Sequence, residues 1–180
     1  MPSRRELLAT SGAGLIGIGS AGCLLGPNTR SAELLQLKAI SVKWRHNGRS
    51  YGDQILQLMF DGEGEIRGRV ASEYKSVISS PSEVTASADF HDDSKSDFEA
   101  VKYVVGFCGS DFNSDDEWGC RNTKISREDF NTVQFGDQAA VEVTDNQFHV
   151  HDVQSGTISD WDADINEFEW SEKRDYPNEK

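Results

Sequence analysis

Over most of this chain the apolar residues recur at every second position, and that period restricts the fold to paired strands. Ile40, Val42 and Trp44 alternate with Ser41, Lys43 and Arg45. Leu56, Leu58 and Phe60 lead into Asp61-Gly62-Glu63-Gly64, and Ile66 and Val70 follow, alternating with Arg67 and Arg69. Two such runs around an Asp-Gly turn predict a hairpin. Val84, Ala86, Ala88 and Phe90 make another alternating run. Val101, Tyr103, Val105 and Phe107 make the most hydrophobic one, a central strand ending at Cys108. Val141 and Val143, then Asp145-Asn146, then Phe148 and Val150, predict a second hairpin. Short strands separated by turn residues imply an all-β, antiparallel β-sandwich. Helix-length amphipathic segments are scarce. Ile158, Trp161, Ile165 and Phe168 have helical spacing, while Phe168 and Trp170 suit a strand equally, so the tail is left open.

The first thirty residues follow a different logic. Twenty-three uncharged residues run from Leu7 to Thr29, enough in principle to span a bilayer. Six of them are glycines, each costing about 1 kcal/mol in a helix relative to alanine, which argues against a permanent span. A short basic start, a modest apolar stretch and small residues at its end describe an export signal. The adjacent Arg4 and Arg5, set as Ser3-Arg4-Arg5-x-Leu7-Leu8, resemble the twin-arginine class of signals. The signal ends Gly19-Ser20-Ala21-Gly22-Cys23, which resembles a lipobox, although Ser20 stands where an aliphatic residue is usual. That resemblance implies lipid on Cys23 and a new N-terminus there. A cut after Ala21, releasing a soluble protein, is the competing reading. Cysteine parity favours the lipobox: with three cysteines, lipid on Cys23 leaves Cys108 and Cys120 to pair. The expected organisation is a signal over 1–22, a lipid-anchored tether over 23–33 and one sandwich domain over 34–180.

Charge constrains the solvent and the partners. The chain carries 18 basic and 31 acidic residues, a net charge of −13, with eight lysines. Self-repulsion of that size works against a compact state. In molar salt the Debye length falls to about 3 Å and the repulsion is largely screened. With the twin-arginine signal and lipobox, this composition resembles the secreted lipoproteins of haloarchaea. The strand pattern is similar to the immunoglobulin-like sandwiches that many exported archaeal proteins carry. Nucleic acid as a partner is excluded, because it requires a basic surface.

Several residues have chemistry worth placing. Cys108 and Cys120 flank an eleven-residue loop, and in an oxidising exterior they are expected to form a disulfide. Closing a loop of that length stabilises a fold by about 3 kcal/mol on the chain-entropy model. Asp111, Asn113 and Asp115 open like a calcium loop, but Asp116 and Asn122 stand where an EF-hand needs Gly and Glu. Asp160, Asp162 and Asp164 fail the same test. His149 and His151, off one face of one strand, could chelate a transition metal with Asp152 or His91. The alternative is that Phe148 and Val150 face the core and the histidines face water. A blue-copper site is excluded, since the one methionine beyond Met1 is Met59, far from Cys108. Neither Gly-x-Ser-x-Gly nor a phosphate-binding Gly-x-x-x-x-Gly-Lys is present. Trp44, Trp118, Trp161 and Trp170 are a candidate ligand platform, Trp118 within the disulfide loop. The expectation is a non-enzymatic envelope lipoprotein, without cofactor, anchored through its lipid on the outer face of the cell membrane. It binds an envelope protein or a solute; a metal- or solute-binding lipoprotein is the alternative.

Overall fold

The computed structural model describes residues 28–113, 117–156, 158, 162–175 and 177. Alternation becomes strand almost throughout. The strands are β1 (Thr29–Ala32), β2 (Leu34–His46), β3 (Arg49–Phe60), β4 (Glu65–Ala71), β5 (Ile78–Ser80), β6 (Glu83–Val84), β7 (Ala100–Gly109), β8 (Gly119–Ile125), β9 (Gln138–Thr144), β10 (Gln147–Gln154) and β11 (Asp162–Phe168). Three short helices, α1 (Ala88–Asp97), α2 (Arg127–Thr132) and α3 (Trp170–Asp175), sit between and after them.

Nine strands form one sheet in the order β1-β9-β10-β8-β7-β2-β3-β4-β11, and β5 and β6 form a small second one. Most pairings are antiparallel; β10 with β8 and β11 with β4 are parallel. One residue, Glu33, separates β1 at the sheet's edge from β2 at its middle, and its N–H donates to the Cys108 carbonyl at 2.9 Å. The sheet therefore curls until its first edge meets its own centre, as the layers of a sandwich do around one core. Leu56, Leu58 and Phe60 of β3 and Val105 and Phe107 of β7 turn inward, as their alternation requires. Across the core Phe107 meets Phe148 edge-on at 5.0 Å between centroids, and Phe60 meets Phe135 at 6.0 Å.

Both expected hairpins form. Asp61 Oδ1 accepts from the N–H groups of Glu63, Gly64 and Glu65, and so builds the β3–β4 turn. Asp145 and Asn146 take φ of 53° and 56°, the left-handed pair that a two-residue hairpin needs. A third hairpin, β2–β3, turns at Asn47-Gly48 with φ of 51° and 76°. Two segments depart from expectation, and a third, left open, is decided. The alternation after Val84 stops at Ser87, whose hydroxyl accepts from Phe90 N–H and starts α1, so Ala88 and Phe90 are helical. The open tail resolves into a strand followed by a helix. Residues 29–32, assigned to the tether, are strand: β1 pairs with β9 and belongs to the domain.

At the centre of the core lies a lysine. Lys38 of β2 is fully buried, and its ammonium donates to the carbonyls of Val84 (2.8 Å), Phe130 (2.7 Å) and Val133 (2.7 Å) and to Gln134 Oε1 (3.1 Å). Burial pushes its pKa well below the ordinary lysine value, and the Asp137 charge pulls it partly back. Phe130 O and Val133 O belong to the end of α2, where carbonyls lack intrahelical partners and a cation is favoured. One side chain thus ties β2, β6 and α2 together. At the other end of β2, α3 closes the core. Its first N–H groups, from Trp170 and Ser171, donate to the Glu73 carboxylate, and the Trp170 ring packs against Trp44 at 4.9 Å and Phe98 at 5.5 Å.

Candidate functional site

The disulfide loop is fastened to β1. Cys108 and Cys120 stand opposite each other on β7 and β8, 4.1 Å apart at Cα, and are bonded as expected. Beyond Cys108, Asp111 does not face an open ion site. Its carboxylate accepts from Ser31 N–H at 2.7 Å, and Arg30 donates to its carbonyl. Glu33 accepts from the N–H and hydroxyl of Ser110 at 3.0 and 3.1 Å. Phe112 packs against Phe148 at 6.1 Å with the Arg30 guanidinium over its ring. Gly119 lies so close to Phe112 and Asn113 that a Cβ there would sit 3.0 Å from each. Asp111 therefore fastens the loop to β1, Asn113 packs against Gly119 of β8, and Asp115 lies outside the described residues. Against that fixed base Trp118 is 56% exposed, one of two large apolar side chains so exposed among the described residues. Trp44 and Trp170 are core residues, and Trp161 lies outside the described residues.

His149 and His151 are both exposed on β10, while Phe148 is buried. The register shifts between Val150 and Asp152, and His151 Nε2 meets Glu142 Oε2 at 3.1 Å. His91 is engaged elsewhere, with Nδ1 2.8 Å from the Tyr103 hydroxyl. Among the described residues no three His, Cys, Asp or Glu side chains are grouped to hold a metal ion. Arg4, Arg5 and Cys23 lie outside the described residues.

A groove of about 660 Å³ runs over the solvent face of β2, β3, β4 and β11, within the usual range for small-molecule sites. Gln36, Gln57, Met59, Arg67, Arg69 and Asn166 contribute amides, guanidiniums and one thioether. A second hollow of about 570 Å³ continues it past Phe168 and Lys173, sharing Arg69 and Asn166. Arg67 is paired with Glu65; Arg69 reaches Asp53 at 3.3 Å and lies over the Phe168 ring. Burial alone would raise the Asp53 pKa, but Lys173, the Gln54 N–H and Arg69 together hold it below the usual range. The guanidiniums are thus held in place by neighbouring carboxylates. The alternation of Arg67 and Arg69 with Ile66 and Val70 already put them on the solvent face. Met59, at 45% exposure between buried Leu58 and Phe60, was the unread signal of an apolar spot there.

Two phenols, buried Tyr103 and half-buried Tyr74, give the domain an alkaline limit. Burial pushes the Tyr74 and Tyr103 hydroxyls up to about 12. In the unfolded chain a tyrosine ionises near pH 10, so between about pH 10 and 12 the folded state binds more protons. Stability is then fully present below about pH 10 and is lost as the pH rises towards 12. Urea unfolding at pH values on either side of that window should show the fall, and a shallower one in Tyr103→Phe. An equal fall in both removes Tyr103 as a cause.

Compared with family models, curated proteins and solved structures, the chain matches none of them. What fold and site define is a class: an all-β domain with a disulfide-stapled loop at its N-terminal end and an amphipathic groove on one face.

Proposed function

We propose that this chain is an exported, lipid-anchored, non-enzymatic binding module of the cell envelope, held on the outer face of the membrane. The observation that carries the reading is the Cys108–Cys120 bond, which leaves Cys23 as the odd cysteine at the end of a twin-arginine-like signal. A lipid at that sulfur explains both the parity and the small residues before it. The place of β1 adds support. It begins six residues after Cys23, at most about 20 Å of extended chain. An anchored domain is therefore kept next to the bilayer and cannot work far from it.

The second reading is a solute-binding lipoprotein, and the groove around Arg67, Arg69 and Met59 favours it. Its amides and guanidiniums suit a small solute rich in hydrogen-bonding groups. Membranes from cells making the wild type or Cys23→Ser test the anchor. The wild type should stay with washed membranes and the variant should appear in the medium; equal distribution contradicts the proposal. A native mass spectrum of the wild type, carrying a non-covalent adduct that denaturation removes, would select the solute reading.

A further inference from the structure

We infer that the disulfide end of the domain docks on the lipid bilayer, with the Trp118 indole seated in the interfacial layer. The inference rests on the anchored reading above and goes beyond it, since an anchor alone leaves the domain free to stand off the membrane.

Three observations lead there. The first is exposure on a rigid base. Trp118 is 56% exposed, yet the next residues, Gly119 and Cys120, are β8 strand bonded to β7 through the disulfide. Exposing an indole to water forfeits the free energy of burying its large apolar area, and tryptophan is the side chain most at home at a membrane interface. The second is position. The Ser31 carbonyl lies 2.9 Å from where a Cβ on Gly109 would sit, and Gly109 pairs with Gly119. With cross-strand and chain steps of about 4 to 5.5 Å, Trp118 is on the order of 10 Å from β1. β1, which follows the anchor in sequence, and the indole therefore share one end of the molecule. The third is reach. β2 begins beside Cys108 and runs thirteen residues to His46, about 40 Å at 3.3 Å per residue. A tether of about 20 Å brings the disulfide end to the surface and leaves the Asn47-Gly48 turn pointing away.

Charge gives this docking a signature. Glu117, exposed beside Trp118, carries a carboxylate. That carboxylate is repelled by an anionic surface, and salt screens the repulsion while it strengthens apolar burial. Docking should therefore tighten as salt rises, opposite to a protein held by a basic patch.

The test uses full-length protein extracted from native membranes, with its Cys23 lipid checked by mass. It is reconstituted in vesicles of equal parts phosphatidylglycerol and phosphatidylcholine, the latter with or without brominated acyl chains. Bromolipid should quench part of the tryptophan emission of the wild type, and more in molar than in low NaCl. Trp118→Phe, with an unchanged near-ultraviolet dichroism spectrum, should lose that quenching. A lipidated protein that pellets with the vesicles but shows no quenching, or the same quenching in Trp118→Phe, overturns the docking while leaving the anchor intact. A protein with no lipid on Cys23 overturns both, and the mass reveals it before any emission is read.

Discussion

Replacing Lys38 by methionine should lower the unfolding free energy by about 3 to 5 kcal/mol, although methionine suits a core by volume and polarity. The reason is what the ammonium leaves behind. Its four acceptors are the carbonyls of Val84, Phe130 and Val133, held around a fully buried site, and the side-chain oxygen of Gln134, which alone keeps a second donor, the Val84 N–H at 2.9 Å. An orphaned buried acceptor costs about 1 to 3 kcal/mol, and the variant creates several at once. Methionine returns the desolvation cost of the charge, which keeps the net loss below the sum. The Phe130 ring, 4.2 Å from the ammonium, also loses its cation. Urea unfolding at neutral pH measures the change. A variant as stable as the wild type would mean that the carbonyls find other donors and that the lysine is not the tie between β2, β6 and α2.

Trp170→Ala is expected to cost about 3 to 5 kcal/mol, the usual range for deleting a large aromatic from a core. Trp170 is 3% exposed and packs between Trp44 and Phe98. Its loss removes more than area. α3 has six residues, too few to be helical alone, so its order depends on this contact and on the Glu73 carboxylate at its first turn. The Lys173–Asp53 pair and the Trp44 N–H bond to Arg174 O should go with it. The near-ultraviolet dichroism of Trp44 should weaken alongside the lower midpoint. Glu73→Ala removes only the cap and should cost about 1 kcal/mol, so the two variants rank packing against capping.

Strands with two-residue alternation were legible because period two has one structural meaning when a face is buried. The β3–β4 and β9–β10 hairpins followed from Asp-Gly and Asp-Asn turns, and the disulfide from two cysteines flanking a short loop in an expected oxidising exterior. The Asn47-Gly48 hairpin carried an equally plain signal, but the polar run Arg45 to Asp53 hid the strands on either side. Ala88 and Phe90 misled because two positions are too few to establish a period, and a single hydroxyl, Ser87, started a helix there. The parallel pairing of β11 with β4 is a long-range choice that no local pattern encodes. Lys38 reads as a solvent-facing lysine between Leu37 and Ala39; its burial depends on carbonyls 46 to 96 positions away in the chain. The candidate groove was half legible. The arginines could be placed on the solvent face, but the hollow they line depends on β11.

The central claim, an anchored envelope protein, stands or falls on the N-terminus of the protein as cells make it. Intact mass of the chain recovered from native membranes tests it most directly. The mature chain should begin at Cys23 with added lipid mass, two hydrogens light for the Cys108–Cys120 bond, and no such species should arise from Cys23→Ser. An unmodified chain beginning at Gly22, found in the medium with a free thiol, would contradict it.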